Sequence, residues 1–210
     1  MNLDHVFILV EPEAQVADQL LEHGFQEGTG NIHPGQGTAN RRIYFANGML
    51  EFLWIRDADE ANNGPGRDLR FSERANDPAA SPFGVIFVPD NGSSEVPFPG
   101  WHYQPDYFPP PKGLHVGANS KNITEPLCFY FSSKNPGVPR AKPLRNPQTI
   151  SKIIISTPST DTEGILGLAS QSERLSIRPD SKHLMEITLD GHALGRTEDF
   201  RPAMPLILHW

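Results

Sequence analysis

The sequence predicts an α+β fold in which a unit of strand, helix and closing strands occurs at both ends of the chain, around a long proline-rich insertion. Three observations lead there. LDHVFILV (3–10) is followed by helix-spaced apolar residues and then by a strand–turn–strand signal at 41–55. From 150 the same order returns, and HLMEITLDG (183–191) resembles GMLEFLWIRD (48–57). Between them, residues 58–149 hold 15 of the 21 prolines. The expected organisation is a first unit at 1–57, an insertion at 58–149 and a second unit at 150–210, all in one compact body.

Each element has its own reason. Residues 3–10 are rich in β-branched and aromatic side chains, so they read as a strand. Pro12 suits the first turn of a helix, Val16, Ala17, Leu20 and Leu21 give one apolar face, and Gly24 suits its end. The spacing predicts a helix over 12–23. Asn47-Gly48 between two strand-like runs signals a two-residue hairpin, which would pair Ala46 with Met49, Tyr44 with Glu51 and Arg42 with Leu53. One face then carries Ile43, Phe45, Leu50, Phe52 and Trp54 and should pack under the helix. The other carries Arg42, Tyr44, Met49, Glu51 and Leu53. On the first strand, Leu3, His5, Phe7 and Leu9 fall on the Glu51 side.

In the insertion, FGVIFVP (83–89) and LCFYFSS (127–133) read as strands, and the aromatic segment 101–117 as long loop. Extra strands and loops packed on the sheet edge are expected, with disorder as the alternative for 58–80. Further on, SKIIIST (151–157), Leu175 to Arg178, His183 to Leu189 and PLILHW (205–210) read as strands. TDTEGILGLASQ (160–171) reads as a helix capped by Thr160.

Composition removes several function classes. The net charge of -7 lacks the basic footprint of general nucleic-acid binding. The single cysteine, Cys128, allows neither an internal disulfide nor a four-cysteine zinc site, and reads as core. No apolar run reaches the roughly 20 residues of a membrane span. Residues 1–5 do not open a secretory signal, so a cytoplasmic protein is expected. Neither GxSxG nor a phosphate-loop pattern is present.

The segments LDHVFI and HPGQGTANRRIYFANGMLEFLW are similar to the glyoxalase-like domain family of the vicinal oxygen chelate superfamily. The resemblance is best in 1–57 and weaker in 150–210. It implies two βαβββ modules whose mixed sheets curl into a cup. It also implies a divalent metal (Fe, Mn, Ni or Zn) held from the first and last strands of a module. By this pattern His5 and Glu51 fall on first-module ligand positions, and Glu186 on the second-module carboxylate. Lys152 falls at or beside the remaining position, where the family often has His, and a cationic Lys is a poor ligand.

The residues carry part of this themselves. Glu51 lies in an otherwise apolar strand, so its carboxylate must be paired, hydrogen-bonded or metal-bound. One His and two carboxylates match an open iron(II) triad. Equally, Arg42, diagonal to Glu51 in the expected register, could neutralise it, and Tyr44 opposite could hydrogen-bond it. In HPGQGTAN (33–40) the glycines allow positive φ and close approach; His33 and Asn40, with Arg42 and Tyr44, are candidate substrate contacts. His115 is a weaker candidate, and Trp101, Tyr103, Tyr107 and Phe108 are a candidate lid. Two functions follow. One is a metal-dependent lyase, isomerase or dioxygenase acting on a small oxygenated molecule, with Glu51 and Glu186 as its catalytic carboxylates. The other is a metal-free cup that sequesters a small molecule, with Arg42 and Lys152 neutralising the glutamates. Relatives that sequester are generally homodimers.

Overall fold

The computed structural model describes residues 1–90, 95–131, 148–159 and 163–210. The N-terminal apolar run forms β1 (Asn2–Leu9), and a short turn at Pro12 leads into α1 (Ala17–Glu22). Three strands follow: β2 (Asn31–His33), β3 (Thr38–Phe45) and β4 (Gly48–Ile55). Next come α2 (Ala58–Asn63) and α3 (Phe71–Asn76), then β5 (Phe83–Val88), β6 (Gly100–Tyr103), β7 (Leu114–Gly117) and β8 (Leu127–Tyr130). The chain ends with β9 (Ile150–Thr157), α4 (Ile165–Ala169), β10 (Leu175–Pro179), β11 (Leu184–Leu189), β12 (Thr197–Asp199) and β13 (Leu206–His209). Thr160, the expected cap of the last helix, lies outside the described residues.

The α+β class and the curled mixed sheet are as the sequence leads one to expect. The placement of the repeat differs. Eight strands form one sheet in the order β2-β3-β4-β1-β5-β8-β7-β6. In it, β1 lies parallel to β4, which continues antiparallel through β3 and β2. Likewise β5 lies parallel to β8, which continues antiparallel through β7 and β6. Antiparallel pairing of β1 with β5 joins the two halves. So residues 83–130 repeat the connectivity of 2–55 and complete the curled sheet. Prolines and loops hid this, because each strand there has only four to six residues.

Residues 150–210 form a sheet of their own, in the order β10-β9-β11-β13-β12. It lies against the back of the first. Val6, Ile8, Ile43, Leu50, Phe52 and Val85 share one buried core with Ile153, Ile155, Met185, Ile187 and Leu208. The expected apolar face of the hairpin therefore packs against a second sheet as well as α1. Period-2 alternation then puts Leu184, Glu186 and Thr188 on the far side of that second sheet.

The other face of the large sheet carries Phe7, Leu9, Leu53, Ile86, Val116 and Phe129, covered in part by Leu69 and Phe71. Residues 58–63 and 71–76 are helical, so the disorder alternative for 58–80 does not hold there. Arg74 of α3 fastens this region by donating to the carbonyls of Ser81, Ile123 and Glu125.

Candidate functional site

The hairpin register differs by two residues from the expected one. Phe45 pairs with Gly48, Tyr44 with Met49, and Arg42 with Glu51, so the turn residues are Ala46 and Asn47. The cause lies at the tip. The Asn47 side chain donates to the Ile150 carbonyl (3.0 Å) and accepts from the Ile150 amide (2.8 Å), while Ala46 N–H donates to the Gln148 carbonyl. Asn47 is thus committed to the start of β9, and the positive-φ Asn-Gly turn gives way. A shift of two preserves faces, so the polar set remains together.

A second irregularity builds the site. The β1–β5 register slips between Leu3 and His5. Such a bulge re-aims side chains: Leu3 joins the core at the back, while Asp4 and His5 both line the front. The expectation that Leu3 lies on the Glu51 side is corrected accordingly.

The front holds a cavity of about 530 Å³. One wall is polar: Asp4 and His5 from β1, Arg42 and Tyr44 from β3, and Glu51 from β4. Apolar side chains from the rest of the sheet and from α3 line much of the remainder, including Phe7, Leu53, Phe71, Ile86 and Phe129, and Asn31, His33, Gln36 and Asp90 also reach it.

His5 sits between two carboxylates. Its Nδ1 lies 2.6 Å from Asp4 Oδ2, and its Nε2 lies 3.7 Å from Glu51 Oε2. Burial works to lower the imidazole pKa, but Glu51 and Asp4 outweigh it and hold it above the ordinary value. Glu51 Oε1 accepts from Asn40 Nδ2 at 3.0 Å. Asn40 Oδ1 in turn accepts from the Asn31 amide at 2.8 Å, which fixes the orientation of the Asn40 amide. Arg42 faces Glu51 directly across the strands, yet the two make no ion pair. Arg42 Nε donates to the Thr29 carbonyl at 2.7 Å, and the guanidinium lies 5.5 Å from the Tyr44 ring centroid.

The HPGQGTAN segment frames the mouth. Gly35 and Gly37 both take positive φ, at 79° and 71°, and a Cβ on Gly37 would run into the backbone of α2. His33 Nδ1 lies 2.9 Å from Thr38 Oγ1, and Gln36 Nε2 donates to the same oxygen at 2.7 Å. Burial lowers the pKa of His33. Tyr107 reaches in from the proline-rich segment, donates to Gln36 Oε1 at 3.0 Å, and sets its ring 5.0 Å from that of His33, tilted by 43°. Of the candidate lid, Tyr107 and Phe108 line the cavity. Tyr103 is buried beside it, and Trp101 bonds Ser120 Oγ. His115 Nε2 lies at the Phe98 carbonyl, 2.9 Å away, and does not close the cup.

Glu186 is not part of this wall. It lies on the far face of the second sheet, bonded to Arg178 Nη2 at 2.7 Å and 3.8 Å from His209. Lys152, exposed on β9, pairs with Thr188 and is equally remote from the cavity. The wall therefore has His5 and Glu51 of the three expected ligands. Of their donor atoms, His5 Nδ1 is taken by Asp4 and Glu51 Oε1 by Asn40. Among the described residues no three His, Cys, Asp or Glu side chains are arranged to hold a metal ion. The residues present do not fit the expected three-ligand centre.

Residues that sequence reasoning missed are Asp4, Asn31, Gln36 and the part of the apolar wall made by Phe71, Ile86 and Phe129. Asp4 precedes His5, but the bulge that turns both to one face leaves no periodic signal.

The large sheet thus presents one cavity with a polar wall built from β1, β3 and β4. Residues 3–89 match the family model described as a glyoxalase-like domain, consistent with the vicinal oxygen chelate superfamily. Among solved structures, a hypothetical protein from Staphylococcus aureus is similar over 99% of this chain and 98% of that one, with a TM-score of 0.64 and 10% identity. At that identity the likeness is one of fold. No curated protein matches the sequence. Among the described residues no helix is long and apolar enough to cross a membrane.

Proposed function

We propose that the cavity binds a small, largely apolar molecule with an oxygen-bearing end, and that His5 and Glu51 move a proton on it. The observation that carries this reading is the placement of His5 between Asp4 and Glu51 on the polar wall of a largely apolar cavity. A site of about 530 Å³ with a few convergent polar groups has the size and character of a small-molecule site.

Asp4 accepts from Nδ1 and so directs Nε2 toward Glu51 and the cavity. At 3.7 Å the Nε2–Oε2 gap is too long for a direct hydrogen bond. A ligand atom can enter there. Protonated His5 donates from Nε2 to a ligand carbonyl oxygen, and Glu51 Oε2 takes a proton from the adjacent carbon. The C–H pair becomes the C=C of an enol as the carbonyl oxygen gains the His5 proton. Return of the proton to a different carbon gives an isomerase, and loss of a β-substituent gives a lyase. Both need no co-reactant. Withdrawing the cavity from water strengthens each of these charges. Binding without turnover is the second reading, favoured by the Asn40 bond that already occupies one Glu51 oxygen.

Occupancy of the cavity is tested by melting-temperature shifts with a panel of aryl and alkyl carbonyl compounds, beside Fe²⁺, Mn²⁺, Ni²⁺ and Zn²⁺ alone. Organic ligands should raise the melting temperature of the parent, and Ile86→Trp, which fills the cavity, should abolish the shift. If the metals alone stabilise the parent and this requires both His5 and Glu51, the metal-free reading is wrong.

A further inference from the structure

We infer that Arg42 is the anchor for an anionic group, and that the ligand is an organic carboxylate with an apolar body. This rests on the reading of the cavity as a small-molecule site. Arg42 is only 8% exposed and lines the cavity. Its guanidinium bonds one backbone carbonyl through Nε and lies near the Tyr44 ring. Its two terminal nitrogens have no hydrogen-bond partner among the described residues. They are also not among the polar atoms sealed from solvent, so they open onto the cavity.

The neighbouring charges do not complete it. Glu51 is served by Asn40 and His5, and Asp4 by His5. No carboxylate forms an ion pair with Arg42 among the described residues, although Glu51 stands opposite it on the adjacent strand. A guanidinium that opens onto the cavity with no carboxylate paired to it is available to a ligand anion. Two terminal nitrogens held in a plane match the two oxygens of a carboxylate. Thr29 and Tyr44 hold the fork from behind, and Gly28 makes room for the Tyr44 ring, which a Cβ there would strike.

The remainder of the ligand meets Phe7, Leu53, Phe71, Ile86 and Phe129. Such a surface selects an aryl or branched alkyl body over a sugar or a nucleotide. The carboxylate at Arg42 then fixes which carbon faces Glu51 and His5.

The test uses benzoate, phenylacetate, 3-phenylpropanoate and 4-phenylbutanoate, each beside its primary amide, titrated calorimetrically into the full chain. At least one acid should bind about 10- to 100-fold tighter than its amide, the range of hydrogen bonds to a charged group. Arg42→Met should reduce that ratio to below about 3-fold by weakening the acid far more than the amide, with Arg42→Lys intermediate. If the amides bind as tightly as the acids, the cavity reading stands and the anchor is overturned. If neither series binds, both fail. Where Arg42→Met does not fold, Arg42→Lys carries the comparison, and an acid–amide ratio that it leaves at the parent value overturns the anchor.

Discussion

Arg42 stands directly opposite Glu51 across β3 and β4, but its guanidinium goes to the Thr29 carbonyl and the Tyr44 ring instead of the carboxylate. The polar wall is thus a set of separately held groups. In a double-mutant cycle of Arg42→Met and Glu51→Gln, measured by chemical denaturation, the coupling should stay below about 0.5 kcal/mol. A coupling well above about 1 kcal/mol would mean that the two neutralise each other.

His5 and His33 line one cavity and should titrate in opposite directions, as imidazole NMR would read. The His5 pKa is held above the ordinary 6.5 by Glu51 and Asp4 against burial. Its contribution to stability is full below about 6.5 and is lost as pH rises through its raised folded value. The His33 pKa is lowered by burial. Its protonation is penalised in the fold, so stability falls as pH drops from about 6.5 through its lowered value. His5→Gln should remove the loss on the alkaline side, and His33→Gln the loss on the acid side.

Asp4→Asn keeps the side-chain volume and removes one of the two charges that raise His5. Its side chain is 45% exposed, so the fold should be retained. The His5 titration should move down. An unchanged titration would assign the whole effect to Glu51.

Glu186 lies beyond the second sheet, in a partly exposed pair with Arg178. Glu186→Gln should leave cavity binding within experimental error and change stability by less than about 1 kcal/mol. Loss of binding on this substitution would restore the three-ligand expectation.

Asn47→Ala removes two hydrogen bonds to Ile150 that tie the hairpin tip to the second sheet. A loss of about 1–3 kcal/mol is expected by denaturant unfolding, because the Ile150 backbone groups lose their partners.

Much of the fold was legible because it rests on local patterns. Val6, Ile8, Leu50 and Phe52 alternate with a period of two, and Leu20 closes a helical face over them. His5 and Glu51 could be placed on one face for the same reason. What was hidden depends on contacts distant in sequence. The hairpin register follows from Asn47 meeting Ile150, about a hundred residues away, and local turn preference pointed to the neighbouring pair. Asp4 enters the site through a bulge set by pairing with β5. Glu186 sits in a segment that resembles the Glu51 strand, and similarity of pattern could not reveal that its sheet lies behind the cup. Of the strands in 83–130, β5 and β8 are legible singly, whereas β6 and β7 fall in the segment 101–117 that reads as loop; their four-residue length and the prolines conceal that the four repeat the first four.

The most direct test of the proton-transfer claim is deuterium incorporation from D₂O into bound 2- and 3-oxo acids carrying aryl groups, followed by proton NMR. The parent should exchange protons next to the carbonyl of at least one such acid. Glu51→Gln should slow that exchange by about 10²-fold or more while binding survives. Exchange that Glu51→Gln leaves untouched, or none in any acid that binds, would contradict it and leave a cup that binds without turnover.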